Sequence, residues 1–216
     1  MVDSTKSTIG IFTERYDQMV CNECEELLDI AEIPPFTRIE CPHCGHVAVV
    51  PAKLGNFLLL DLVGTGGMGG VYVAEDEDLG RLVAIKVMLR SLGANEEAVE
   101  QFKHEAQAAG RLNHPNIAQI YSIGQVQGQP YIVMELVGGQ GMEQIIASGE
   151  DAGQGRIMRI GLDIAEALRA ADEADLIHGD IQPENILTDE KGRAKLVDFG
   201  LASFADQTAA EGIWGT

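Results

Sequence analysis

Basic residues, long apolar runs and cysteines outside one short segment are all scarce in this chain, and each shortage excludes something. Only 15 Lys and Arg face 34 Asp and Glu, a net charge of −19 over 216 residues. Such a surface repels phosphodiester backbones and anionic membranes, so neither nucleic acid nor a lipid surface is an expected partner. The excess acid reads as a solvated surface. No apolar run approaches the ~20 residues that a membrane-spanning helix needs; Phe57 to Val63 comes nearest and is broken by Asp61. Met1 to Gly10 is polar, without the apolar segment of a signal peptide. All four cysteines fall between residues 21 and 44. Clustered this way, they suit a metal site in a reducing compartment, and the chain is expected to be cytoplasmic. At 45% apolar, the chain can still bury a core and carry a second small module.

That module is read from Cys21, Cys24, Cys41 and Cys44. Two residues between paired cysteines let both thiolates of a tight turn face one ion, and two such turns complete a tetrahedral shell. The spacing falls in the zinc-ribbon window. Gly45 suits a positive-φ turn. Few large apolar residues lie nearby, so a structural Zn²⁺ would take the place of a core. Paired disulfides or a redox dithiol are the alternatives. His43 and His46 are spare donors beside four thiolates. Acidic neighbours, Glu23, Glu25, Glu26, Asp29 and Glu32, speak against DNA binding, and a docking or regulatory surface, open to a protein partner, is the default role.

From Asn56 onward, strand-like stretches run over Phe57–Val63, Val71–Ala74 and Leu82–Met88. The first two flank Gly64, Thr65, Gly66, Gly67, Met68, Gly69 and Gly70, read as a hairpin tip whose backbone can approach phosphate oxygens. Lys86 ends the third stretch. A helix is expected from Glu96 to Leu112, with Val99, Phe102, Ala106, Ala109 and Leu112 on its buried face and Glu105 at the edge of that face. Further strands are expected near Ile117–Ile123 and Tyr131–Glu135. A long helix follows over Arg156–Ala174, with Ile157, Ile160, Ile164, Leu168 and Ala171 on one side. It leads to His178-Gly179-Asp180, Gln182-Pro183, Asn185 and Asp198-Phe199-Gly200.

In this order the motifs resemble a bacterial, eukaryotic-like Ser/Thr protein kinase over residues 56 to 216. The resemblance implies an α+β, bilobal kinase-like fold whose helical lobe is incomplete, preceded by the zinc ribbon. The expected divisions are a flexible segment 1–14, the zinc-ribbon module 15–54, a β-rich lobe 55–136 and a partial helical lobe 137–216. It also implies ATP and Mg²⁺ as cofactors and Ser or Thr hydroxyls of proteins as acceptors. Residues 64–69 would fold over the triphosphate. Lys86 would hold the α- and β-phosphates and pair with Glu105. Val71, Ala84 and Leu187 would sandwich the adenine, Met134 would stand behind it, and the backbone of Glu135 to Val137 would read its edge. Asp180 would accept the proton of the acceptor hydroxyl, and Asn185 and Asp198 would ligate Mg²⁺.

Three departures temper that expectation. Gly179 stands where the family has an arginine that pairs with an activation-loop phosphate. Gln182 replaces a lysine, a neutral donor in place of a cation. Gly212 to Thr216 resembles the stretch before the family's Ala-Pro-Glu motif, which does not follow. The helices beyond that motif normally anchor His178 and cover the long helix, so an exposed apolar face is expected. Two alternatives therefore stand beside the kinase: a catalytically silent nucleotide-binding scaffold, and a zinc-dependent interaction module with a vestigial kinase region.

Overall fold

The computed structural model describes residues 16–66, 69–93, 95–149, 153–199 and 203–204; the side chains of residues 105, 203 and 204 lie outside that description. The expected flexible segment 1–14, Gly67, Met68 and the stretch 205–216 lie outside the described residues as well. The chain divides into two compact units, one running to Val99 with Ile123–Val133 added, the other holding Glu100–Ser122 and everything from Met134 on.

In the first unit two short ribbons come first. Strands β1 (Gln18–Val20) and β2 (Leu27–Asp29) form one, β3 (Arg38–Glu40) and β4 (Val47–Val49) the other. Each ribbon turns through one cysteine pair. Glu25 N–H donates to Cys21 O at 2.9 Å and Gly45 N–H to Cys41 O at 2.9 Å, and both donors have positive φ, 61° and 75°. Gly45 adopts this geometry freely, whereas Glu25 does so at some cost. Around the thiols pack Leu28, Ile30 and Val50.

Then β5 (Ala52–Leu54), β6 (Phe57–Gly66), β7 (Gly69–Asp76), β8 (Arg81–Met88), β9 (Ile120–Val126) and β10 (Gln129–Met134) form one sheet in the order β5-β6-β7-β8-β10-β9. Alternation along a strand assigns side chains to opposite faces. Tyr72 and Ala74 of β7 join Val83, Ile85 and Val87 of β8 in a core shared with Ala52, Leu54, Leu59 and Val133. Val71, Val73, Ala84 and Lys86 fall on the other face, with Val71 opposite Lys86 and Val73 opposite Ala84.

Helix α1 (Glu96–Ala109) is capped by Asn95, whose Oδ1 accepts the Ala98 N–H at 3.2 Å. It ends three residues before the expected Leu112, because Gly110 follows and Leu112 turns back to bond Ala109 O. In the second unit a short helix α2 (Met142–Ser148) precedes α3 (Gln154–Asp172). The buried stripe of α3 is Ile160, Ile164, Ala167 and Ala171. Ile157 and Leu168, expected on that stripe, are 60% and 36% exposed. A helical stripe spaced 4, 3, 4 already runs through 160, 164, 167 and 171, which leaves positions 157 and 168 at its margin. Strand β11 (Leu176–Ile177) pairs with β14 (Ser203–Phe204), and β12 (Ile186–Thr188) with β13 (Ala194–Leu196). Asp163 of α3 accepts the Ala194 N–H at 2.8 Å, tying the long helix to β13. Among the described residues no helix is long and apolar enough to cross a membrane.

Candidate functional site

The described residues on either side of Gly67 and Met68 are paired as the two arms of a hairpin, as the composition predicts. Registers run Gly64 opposite Val71, Thr65 opposite Gly70 and Gly66 opposite Gly69. Its glycines have different reasons to be glycine. A Cβ on Gly69 would lie 1.9 Å from Val87 O, and one on Gly70 would meet the Tyr72 hydroxyl at 2.9 Å. A Cβ on Gly64 or Gly66 would meet nothing within 4 Å. Packing fixes the first two, while the last two keep the backbone bare on an open side. Lys86 is half-buried on β8, on the same sheet face as Val71 and Ala84. Glu105 lies within α1.

In the second unit one hydrogen-bond network organises the polar loop. Asn185, buried in a 3₁₀ turn over Pro183–Asn185, donates from Nδ2 to Asp180 O at 2.9 Å and to Asp180 Oδ2 at 3.0 Å. Gln182 Nε2 also donates to Asp180 Oδ2, at 3.0 Å. Two amides thus fix the carboxylate, one from each side of Pro183. Asp180 N–H donates to His178 Nδ1 at 3.2 Å, so that nitrogen is the bare one; Nε2 carries the proton and donates to Val197 O at 3.1 Å. Burial lowers the His178 pKa below its ordinary value, which keeps the ring neutral and its two roles distinct. Its ring also packs at a tilt against Phe199, centroids 4.5 Å apart and planes inclined by 52°.

His178 therefore grips both neighbours of Asp198. Val197 N–H donates to Asn185 O at 2.9 Å, closing the circuit. Val197 and Phe199 together anchor His178. Asp198 itself has φ +57° and Gly179 φ +78°. Aspartate tolerates the left-handed region better than most residues, and glycine enters it freely. Strained backbone of this kind persists where the surroundings over-determine it.

Four thiols meet in the first unit. Their Sγ atoms all lie within 4.8 Å of one another, with Cys21–Cys44 and Cys24–Cys41 at 3.7 Å. Corners of a tetrahedron around Zn²⁺, at about 2.3 Å per bond, are about 3.8 Å apart, whereas a disulfide needs about 2.05 Å. The cysteines are unbridged, and the donor set fits a tetrahedral, soft-ligand cation. The N–H groups of Glu23 and Cys24 draw the Cys21 thiol down to about 6. At Cys24 the Glu26 N–H pulls the same way, but burial and the adjoining thiols outweigh it and push the value up to about 12. Crowded thiolates repel each other until a dication neutralises them.

Among the charged contacts that sequence reasoning missed, one involves a candidate site residue. Lys195 on β13 pairs with Glu135 at 3.0 Å, and no local motif signals a pair 60 residues apart.

Comparison with known proteins identifies the family. The protein kinase domain family model matches residues 57–216. The chain is 38% identical over 154 residues to serine/threonine-protein kinase PrkC of Bacillus subtilis (strain 168), covering 71% of this chain and 24% of that protein. Against serine/threonine-protein kinase pkn3 of Myxococcus xanthus it is 40% identical over 152 residues, 68% of this chain and 28% of the relative. Serine/threonine-protein kinase PknA of Mycobacterium tuberculosis (strain ATCC 25618 / H37Rv) matches at 39% over 162 residues, 70% of this chain and 36% of the relative. This chain belongs to the protein kinase domain family. It spans roughly a quarter to a third of the length of these relatives.

Proposed function

We propose that the chain binds MgATP and transfers the γ-phosphate to a Ser or Thr hydroxyl of a protein, at a reduced rate. The observation that carries this reading is the circuit joining Asp180, Asn185 and the residues on either side of Asp198. Asn185 commits its amide nitrogen to Asp180, and its oxygen is the hard donor that suits Mg²⁺; Asp198 supplies a second. Bound Mg²⁺ would neutralise charge on the phosphates. The bare Gly64 and Gly66 backbone would receive phosphate oxygens, with Thr65, Gly67, Met68 and Gly69 completing the loop. Lys86 would neutralise the α- and β-phosphates and pair with Glu105. Val71, Ala84 and Leu187 would hold the adenine, with Met134 behind it and Glu135 to Val137 along its edge. Asp180, held by two amides, would orient the acceptor hydroxyl and take its proton.

Gln182 donates a neutral hydrogen bond where a cation would stabilise transferring charge, and loss of one such donor costs on the order of 10²–10³ in rate. Gly179 removes the arginine through which loop phosphorylation would act. In the other unit, Cys21, Cys24, Cys41 and Cys44 would hold one structural Zn²⁺, in a reducing compartment such as the cytoplasm.

A second reading, a nucleotide-binding scaffold without transfer, is favoured by Gln182 engaging Asp180 directly. Transfer of labelled γ-phosphate to a Ser/Thr peptide separates the two. The kinase reading expects measurable transfer that Gln182→Lys raises sharply and Asp180→Asn abolishes. Silence of both the native chain and Gln182→Lys, with MgATP still bound, selects the scaffold.

A further inference from the structure

The Glu135–Lys195 pair joins three segments that no sequence motif connects. Lys195 Nζ lies 3.0 Å from each Glu135 carboxylate oxygen, and the two side chains are only 12% and 26% exposed. Glu135 is bound again through its backbone, its N–H donating to Gln119 O at 2.8 Å, while its Oε2 accepts the Gln119 N–H at 3.1 Å. One carboxylate thus ties the segment 135–137 to the chain at Gln119 and to β13. Lys195 is directly opposite Leu187 in the β12–β13 ladder and three residues before Asp198. Leu187 is bridged in turn to Gly141, just past the same segment.

A partly buried pair of this kind contributes little net stability, because desolvation offsets most of its attraction. Its geometric consequence is larger. Two charges 3.0 Å apart fix where the segment 135–137 lies relative to Leu187, and that segment and Leu187 are among the residues proposed above to contact adenine.

We propose that Lys195 is a positioning residue for the nucleotide base, acting through Glu135 to hold the base-reading backbone in register with Leu187. The inference rests on the nucleotide-binding reading and deepens it: the pair governs recognition of the purine, not of the phosphates. The Lys195 ammonium is engaged by the Glu135 carboxylate and would act through it.

The test is calorimetric titration of the full chain with MgATP and, separately, with magnesium tripolyphosphate, which lacks the base. Lys195→Met is expected to raise the Kd for MgATP about tenfold while leaving that for tripolyphosphate unchanged. Lys195→Arg keeps the charge and a two-pronged geometry and is expected to restore MgATP affinity. Glu135→Gln, which retains the shape and a weaker acceptor, serves as a second variant should Lys195→Met fold poorly, with the same base-selective loss. Equal weakening of both ligands would overturn the proposal, because it would show a general loss of structure. Unchanged MgATP affinity in both Lys195→Met and Glu135→Gln would overturn it too, leaving the nucleotide reading intact. Failure of the native chain to bind MgATP would instead remove the reading itself, and this inference with it.

Discussion

The ring of Phe36 packs on the ring of Tyr72, centroids 5.1 Å apart and planes inclined by 34°. Phe36 belongs to the segment between the two cysteine ribbons, and Tyr72 to the strand that leaves the glycine loop. The contact lies on the sheet face opposite Val71, Ala84 and Lys86. The cysteine module is therefore an extension of the β-rich core, not a bead beside it. Phe36 takes φ +64° to reach this position, with its N–H bonded to Val50 O at 2.7 Å.

Tyr72 is wholly buried, and its hydroxyl has no hydrogen-bond partner among the described residues. Burial pushes its pKa up to about 12. An unsatisfied buried hydroxyl costs on the order of 1 kcal/mol or more. Tyr72→Phe is accordingly expected to leave stability unchanged or raise it by about 1 kcal/mol, read as a higher urea midpoint. A loss above ~1 kcal/mol would show that the hydroxyl has a bound partner.

Phe36→Ala removes the aromatic bridge and is expected to cost about 2 kcal/mol in urea unfolding, less than a fully buried phenylalanine would. If the four cysteines hold Zn²⁺ as proposed, its chelation is expected to raise amide exchange at Tyr72 and Ala74 in the native chain. In Phe36→Ala that response should shrink, since the ribbons then fold without gripping β7. Equal responses in both would mean that the two parts are energetically separate.

Two glycines of one loop should behave in opposite ways. Gly69→Ala drives a methyl into Val87 O at 1.9 Å and is expected to destabilise the sheet by several kcal/mol, lowering the melting temperature. Gly64→Ala meets nothing, so it should melt near the native temperature while weakening MgATP binding. Calorimetry and thermal melts on the same samples distinguish them.

Much of this arrangement was legible in the sequence, for stated reasons. Strands β6, β7 and β8 announce themselves by short β-rich runs between turn residues, and Cys21 to Cys44 by spacing alone. The order Gly64, Lys86, Asp180, Asn185, Asp198 resembles the family's motif order, and the family model matches residues 57–216. Other features needed the fold. The Lys195–Glu135 and Phe36–Tyr72 contacts are long-range and leave no periodic trace. Ile157 and Leu168 match helical spacing, yet α3 buries a stripe that excludes them. The grip of His178 on Val197 and Phe199 depends on a ring tautomer that no motif encodes.

That tautomer gives a pH dependence. Burial lowers the His178 pKa in the folded chain below the ordinary 6.5. Above 6.5 the residue is neutral in both folded and unfolded states. As pH falls below 6.5 the unfolded chain takes up the proton first, so stability declines until the folded-state pKa is passed. A drop in urea midpoint between pH 7 and pH 5 is expected, with a smaller slope in His178→Gln. Identical slopes would show that His178 does not contribute.

The measurement that tests the central claim most directly is isothermal titration of the zinc-loaded full chain with ATP, with and without Mg²⁺, for the native protein and for Asp198→Asn. A saturable one-to-one binding isotherm that needs Mg²⁺ and weakens at least tenfold in Asp198→Asn is the predicted result. Absence of heat and of thermal protection in folded native protein at millimolar MgATP, or binding indifferent to both Mg²⁺ and Asp198, would contradict it.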